Sequence, residues 1–354
     1  MLSAWHNSLV MRAARREPVE RTPVWLMRQA GRYMAEYREV RRQTNFLALC
    51  KNPPLCAEIM LTAVERLGVD AAILFSDLLL ILEPMGLQLE FAAGEGPIIH
   101  NPIRQAADVD RLRELESMDE LAFVPEAVRQ TRAGLPEHLP LIGFCGAPFT
   151  LAAYATEGGS SRDYRAAKSL MYTDPGAWNT LADRFARAGA LYLNAQIAAG
   201  TQLVQIFDSW AGCLGTDDFR EFALPATRKL IDALPLDTPV IYFSTGNPAL
   251  LPLLRDLAPT RTNLVIGIDW RIAMDDAWRM LGDRFAVQGN LDPAVLLSTP
   301  EEIHRRAAAI LRQIGGRAGH IFNLGHGVLP QTPVENAVAL VKAVKEISAA
   351  EDRR

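Results

Sequence analysis

Two arginines four positions apart, Arg28 and Arg32, state the clearest chemical purpose in this sequence. They follow directly on the apolar run Val24-Trp25-Leu26-Met27, which opens after Pro23 and reads as a buried strand, and they bracket the small-residue turn Gln29-Ala30-Gly31. A guanidinium left unpartnered at the end of a buried strand is costly. The arrangement makes sense if an anionic ligand is the partner, because the planar two-pronged guanidinium matches a carboxylate. Four other polar residues follow apolar runs in the same way. Asp77 closes Ile73-Leu74-Phe75-Ser76-Asp77, Ser209 closes Phe207-Asp208-Ser209, Tyr154 comes after Gly146-Ala147-Pro148-Phe149-Thr150, and His326 stands between Gly325 and Gly327. The flanking glycines suggest a close backbone approach to a neighbour, with the imidazole projected outward. Each residue also has a plainer reading: Asp77 as a helix cap, Ser209 as a turn residue, Tyr154 as a half-buried core residue with a bonded hydroxyl. Their common position, just after a strand, is what argues for a shared site.

The elements that would carry them are short apolar runs. Eight recur, at 24–27, 71–75, 141–144, 203–207, 240–243, 264–268, 285–288 and 320–323. They are nearly continuous in apolar character, as parallel strands buried on both faces should be. Helical patterns separate them, at 52–67, 119–132, 175–199, 216–234, 247–257, 273–281, 300–314 and 333–347. Thr299-Pro300-Glu301-Glu302 and Thr332-Pro333-Val334-Glu335 are strong helix starts, with Pro at the first helical position and acid in the first turn. Eight strands alternating with helices predict a single-domain (β/α)8 barrel over residues 1–354. The competing doubly wound sheet would want a G-x-G-x-x-G turn, and none occurs. Residues 87–104, with Gly94, Gly96 and Pro97 between apolar stretches, break the alternation and read as a hairpin inserted after the second strand. In a barrel the active site lies at the carboxyl ends of the strands, where all the candidates above sit.

Composition narrows the partners. The chain has 354 residues, 49% hydrophobic and 22% charged, with a formal net charge of −4. That balance predicts a globular protein with a large core and no bulk attraction to nucleic acid or to an acidic membrane surface. An anionic substrate would need a local basic patch. The four cysteines, Cys50, Cys56, Cys145 and Cys213, form no C-x-x-C pair and read as reduced thiols of a cytosolic protein. No secretory leader pattern is read at residues 1–16, and the apolar run 78–82 is too short to span a bilayer.

Five segments together resemble the uroporphyrinogen decarboxylase family. They are Pro23-Val24-Trp25-Leu26-Met27-Arg28-Gln29-Ala30-Gly31-Arg32-Tyr33; Phe75-Ser76-Asp77; Gly146-Ala147-Pro148-Phe149-Thr150-Leu151 with Tyr154 and Glu157-Gly158-Gly159; Phe207-Asp208-Ser209-Trp210-Ala211-Gly212; and Asn323-Leu324-Gly325-His326-Gly327. The resemblance runs from about Trp5 to Ile347. It implies a (β/α)8 barrel, a homodimer, a cytoplasmic setting on the route to haem, and no metal or organic cofactor. The implied reaction converts the four acetate arms of uroporphyrinogen III to methyl groups, giving coproporphyrinogen III and four CO2. Carried over residue by residue, Arg28, Gln29, Ala30, Gly31 and Arg32 match a substrate-binding segment. Asp77 matches the carboxylate that faces the pyrrole nitrogens, Tyr154, Ser209 and His326 match further substrate contacts, and Phe46 and Phe207 match apolar residues near the macrocycle.

The chemistry suits these residue types. Arginines, hydroxyls and an imidazole are donors for a carboxylate rim, and one carboxylate can accept from several pyrrole N–H groups at once. Protonation of a ring carbon next to an acetate arm makes the pyrrole its own electron sink, and Asp77 would stabilise the cation that develops. Arg28 lies in the right place by resemblance to donate that proton, yet a guanidinium is a poor acid; Tyr154, His326, a water or a substrate carboxylic acid are the alternatives. Two other readings compete. A zinc-dependent corrinoid or thiol methyltransferase of the same superfamily would need a His-x-Cys pair and a later Cys, and 242–246 reads Tyr-Phe-Ser-Thr-Gly. A non-catalytic porphyrin-binding protein would keep the arginines but need not keep Asp77.

Overall fold

The structure, a computed structural model, describes residues 3–92 and 96–351. In chain order its strands are β1 (Ala72–Ile73), β2 (Leu89–Ala92), β3 (Gly96–Ile99), β4 (Leu141–Gly146), β5 (Leu203–Asp208), β6 (Val240–Ser244), β7 (Leu264–Gly267), β8 (Ala286–Leu291) and β9 (His320–Leu324). Seven form one sheet in the order β1-β4-β5-β6-β7-β8-β9, and every pairing in it is parallel. Helices cross between the strands, so the sheet is covered on its outer face and its residues are buried throughout β4, β6, β7, β8 and β9. β2 and β3 pair antiparallel with each other outside this sheet.

The run at 24–27 departs from its expected role as a ladder strand. It contributes a single parallel bridge, Val24 to Phe322. Phe322 N–H donates to Pro23 O at 2.8 Å, and on the opposite side Asp70 N–H donates to Val24 O at 2.8 Å. Side chains take the partners a ladder would have used. The Asp70 carboxylate accepts the Val24 N–H at 2.9 Å, and the Asn323 carboxamide oxygen accepts the Met27 N–H at 3.0 Å. The segment therefore closes the curled sheet between β9 and β1 by staples rather than by a ladder. β1 is short, holding two residues where five were expected.

The helix starts follow their caps. The Pro53–Leu67 helix opens with the Asn52 side chain accepting Leu55 N–H at 3.2 Å, and it ends at Gly68 in a left-handed conformation. The Pro300–Ile314 helix opens on Thr299, whose hydroxyl accepts Glu302 N–H at 3.4 Å. Proline reshapes two expected helices. The run 216–234 divides into Thr216–Asp218, a π turn at Phe219–Ala223, and Leu224–Asp232, with Pro225 unable to donate into the preceding turn. The run 247–257 is a 3-10 helix, Pro248–Asp256, with Pro252 inside it. Among the described residues six α-helices lie where none was expected, at Leu9–Ala14, Ala35–Gln43, Phe46–Cys50, Ala106–Asp110, Pro148–Glu157 and Arg165–Thr173. Ala35–Gln43 follows the arginine turn, and Pro148–Glu157 follows β4 and carries Tyr154.

A chain of amides crosses the barrel interior below the strand ends. Trp25 Nε1–H donates to Gln288 Oε1 at 2.9 Å, and Gln288 Nε2 donates to Gln205 Oε1 at 3.1 Å. Gln205 Nε2 then points at Met27 Sδ, 3.5 Å away. These buried polar groups are satisfied by one another, which is how such groups are tolerated in a core.

Candidate active site

A cavity of about 680 Å³ opens at the carboxyl ends of the strands. Arg28, Gln29, Ala30, Gly31, Arg32, Phe46, Asp77, Tyr154, Phe207, Ser209 and His326 all line it. Residues up to 298 positions apart thus meet in one place: the strand ends and the close of the 24–27 segment share one mouth, and helices bring Phe46 and Tyr154 to it.

The arginine turn is built from both sides. Arg28 has φ 61, the left-handed region that a side chain with a Cβ rarely adopts. It is held there by its neighbours. Asn323 Oδ1 accepts Met27 N–H at 3.0 Å, Val328 N–H donates to Met27 O at 2.9 Å, and Gln29 N–H closes a turn onto Leu26 O at 3.0 Å. Tyr33 OH donates to Gln29 O at 2.6 Å. Gln29 itself is fully buried and its carboxamide donates to Ala71 O at 3.3 Å, so it shapes the turn and presents no side chain to the cavity. Arg28 and Arg32 are exposed, and neither pairs with a carboxylate among the described residues. Arg41, on the Ala35–Gln43 helix, is a third guanidinium on the same wall, 5.7 Å from the centre of the Phe46 ring.

Asp77 is the one acidic residue lining the cavity among the described residues. Its Oδ1 accepts Leu79 N–H at 2.9 Å, which is the capping role its sequence also suggested; the rest of the carboxylate faces the cavity. Burial pushes its pKa up to about 6, against the Leu79 hydrogen bond and the positive charge of Arg28. Tyr154 stacks on Trp210 with ring centres 3.7 Å apart. Burial, then the charge of Asp77, pushes its phenol above the usual range. The hydroxyls of Tyr154 and Ser209 bond to no other described residue, so both are free to donate into the cavity.

Ser209 and Trp210 are placed by Asp208. Its carboxylate accepts from Thr150 Oγ1 at 2.7 Å and from Tyr242 OH at 2.6 Å, linking β5 to the Pro148–Glu157 helix and to β6. Thr150 Oγ1 in turn accepts Trp210 N–H at 3.3 Å. His326 receives the Gly327 N–H on Nδ1 at 2.8 Å, which puts its own proton on Nε2. Burial, then Arg28, lowers its pKa to about 4, so it is a neutral donor near neutral pH.

The walls between these groups are aromatic. Phe144 meets Phe207 with centres 5.5 Å apart, Phe207 meets Phe243 at 5.8 Å, and Phe243 meets His326 at 6.3 Å. Phe46 packs edge-on to Phe91 of β2 at 4.9 Å and to Phe75 at 6.3 Å. Sequence reading identified Phe46 and Phe207 but not Tyr37, Arg41, Phe75, Phe91, Phe144 or Phe243. Phe75 and Phe243 carried a usable signal, each being the last apolar residue before a polar strand end. Phe91 and Arg41 had none, since a hairpin and an unrecognised helix bring them in.

No thiol reaches this cavity. Cys50, Cys56 and Cys145 are buried, and Cys213 is half-buried away from the lining. Burial pushes the Cys213 thiol up to about 11 and the Cys56 thiol up to about 12, so both stay protonated. Among the described residues, no three His, Cys, Asp or Glu side chains gather at metal-binding spacing.

Comparison with known proteins places this geometry. The chain is 51% identical over 344 residues to a uroporphyrinogen decarboxylase from Koribacter versatilis, covering 97% of both chains. It is 52% identical over 338 residues to one from Sorangium cellulosum, covering 95% of both. Among solved structures, a methyltransferase from Methanosarcina mazei superposes with a TM-score of 0.77 at 21% identity, covering 96% of this chain and 98% of that one. A B12-independent methionine synthase from Shewanella gives 0.56 at 11% identity, covering 83% and 87%. These two share the fold alone. The family model for uroporphyrinogen decarboxylase matches residues 5–347, and the chain, with its arginine turn, its Asp77 carboxylate and its aromatic walls, belongs to that family.

Proposed function

We propose that this protein decarboxylates uroporphyrinogen III, removing its four acetate carboxyl groups to give coproporphyrinogen III and four CO2. The observation that carries the reading is the placement of Asp77, the one acid of the lining among the described residues, in a cavity that Arg28, Arg32 and Arg41 also line. A reduced tetrapyrrole has this charge pattern in reverse: four pyrrole N–H donors at its centre and carboxylates on its rim. Arg28 and Arg32 hold rim carboxylates, with Tyr154, Ser209 and the Nε2–H of His326 as neutral donors. The Phe46, Phe207 and Phe243 rings flank the macrocycle.

Asp77 accepts from the pyrrole N–H groups. When a ring carbon beside an acetate arm is protonated, the ring becomes cationic, and the fixed carboxylate stabilises that charge. The C–C bond electrons then flow into the ring as CO2 leaves, a second proton on the resulting exocyclic methylene makes the methyl group, and loss of the first proton from the ring carbon restores the neutral pyrrole. A preorganised charge aimed at a developing charge is among the largest contributions a site can make. Arg28 is given the rim role rather than that of proton donor, because a guanidinium releases its proton too reluctantly. The absence of any thiol from the lining weighs against a zinc-thiolate methyltransferase, despite the shared fold.

Anaerobic incubation with uroporphyrinogen III, followed by chromatography of the oxidised products, tests the reading. Ordered appearance of seven-, six-, five- and four-carboxylate porphyrins is expected; unchanged substrate would overturn it. The reading includes a cytoplasmic homodimer, and sedimentation at micromolar concentration checks the dimer.

A further inference from the structure

We propose that Gly327 is a positioning residue for Arg28, its missing side chain being the space through which the Arg28 side chain passes. A Cβ built on Gly327 would lie 2.3 Å from Arg28 Cδ, 2.6 Å from Cγ and 2.9 Å from Nε. Real Cβ atoms do not approach other heavy atoms this closely. All three of its nearest neighbours belong to Arg28, so an alanine here meets that side chain before anything else. Gly327 has no left-handed φ, so alanine is no strain on the backbone at this position.

The Arg28 side chain leaves a fixed backbone, so a Cβ at position 327 would be met by rotation of that side chain off its present path. The Arg28 backbone sits at φ 61, clamped by Asn323 on Met27 N–H and by Val328 on Met27 O. Val328 is the residue after Gly327, so the clamp and the gap belong to one short segment leaving β9. That segment also contains His326, whose Nδ1 is engaged by the Gly327 N–H. One glycine therefore sets the path of a guanidinium through its missing Cβ and the donor face of an imidazole through its N–H. The pairing of a strained arginine with a glycine about 300 residues later has no explanation in packing alone, since a lysine-like stem could be accommodated in many ways on an exposed wall. It follows if the guanidinium must stand at one place on the carboxylate rim, where a misplacement of about 1 Å can cost about a hundredfold in rate.

The inference rests on the tetrapyrrole reading of the cavity, and a double-mutant cycle separates the two. Gly327→Ala, Arg28→Ala and the double variant are compared in kcat and KM for uroporphyrinogen III and in melting temperature. If Gly327 acts through Arg28, Gly327→Ala lowers kcat/KM at least about tenfold, and adds less than about twofold once Arg28 is alanine. Equal losses in both backgrounds, or wild-type kinetics in Gly327→Ala, would overturn it. Should Gly327→Ala melt too low to assay, the double variant decides. It lacks the three atoms nearest the new Cβ, so it should melt with Arg28→Ala; a double variant that also fails to fold overturns the proposal. Absence of turnover in the wild-type protein would instead defeat the substrate reading, leaving the melting comparison intact.

Discussion

At the scale of single residues, Asp77 combines two roles that a sequence would treat as alternatives. One oxygen caps Leu79, and the remainder of the carboxylate faces the cavity. Its pKa of about 6 makes a pH prediction with a definite sign. In the proposed role the carboxylate is the active form, so kcat/KM should rise as pH increases through about 6. His326, lowered to about 4, stays neutral across that range and adds no limb of its own. Asp77→Asn should keep the fold, lose roughly a hundredfold or more in turnover, and abolish the pH limb. Anaerobic pH-rate profiles of both proteins test this; near-normal turnover in the variant would sink the electrostatic role. The same shift makes a stability prediction. A carboxyl whose folded pKa is raised favours the native state fully only below its unfolded value of about 3.8, and that contribution is lost as pH rises through about 6. Asp77→Asn should therefore melt above wild type at pH 8, with the gap closing near pH 4. That outcome, with the loss of turnover, would mean that Asp77 serves activity at the expense of stability, a common trade at functional sites.

Elements are joined around the site by buried carboxylates. Asp70 fastens the 24–27 segment to the rest of the barrel. Its oxygens accept both Arg21 terminal nitrogens at 2.7 Å and the Val24 N–H at 2.9 Å, with Lys345 3.4 Å away. Asp208 does the same for β5, the Pro148–Glu157 helix and β6. Removing one partner of such a cluster leaves the others buried and unmatched, which costs more than the cluster's net contribution. Asp70→Ala should destabilise the protein by about 2–4 kcal/mol, measured by urea unfolding. Asp70→Asn, which retains an acceptor for Val24, should lose less. Equal losses would show that the charge on Asp70, and not its backbone staple, holds the segment. Sequence periodicity could not reveal this staple, because the apolar run 24–27 looks the same whether its partners are a strand ladder or two side chains.

For the molecule as a whole, the informative quantity is where the charge lies. A net charge of −4 gives no general attraction for an anionic substrate. The proposed attraction is local, from Arg28, Arg32 and Arg41 in the cavity lining. Surface charges of this kind are screened over about 8 Å at physiological salt. Raising the salt from about 0.02 M to about 0.5 M should therefore increase KM for uroporphyrinogen several-fold while kcat moves little. A KM indifferent to salt would argue that contacts other than charge dominate capture.

The alternation of apolar runs and helical patterns was legible in the chain from its first strand to its last, because burial on both faces of a parallel sheet is written as local composition. Chain order then placed Arg28, Asp77, Ser209 and His326 after strands, and a barrel gathers all strand ends at one mouth, so these four were identifiable before any coordinates. The proline-bearing runs 216–234 and 247–257 were legible as helical but not as π and 3-10 turns. What tertiary structure alone decided are matters of contact between distant segments. The reduction of 24–27 to a stapled segment depends on Asn323, 296 positions away from Met27. The tautomer of His326, the arrival of Phe91 and Arg41, and the meeting of Gly327 with Arg28 likewise depend on which loops touch. Periodicity records whether a residue is buried; it does not record against what.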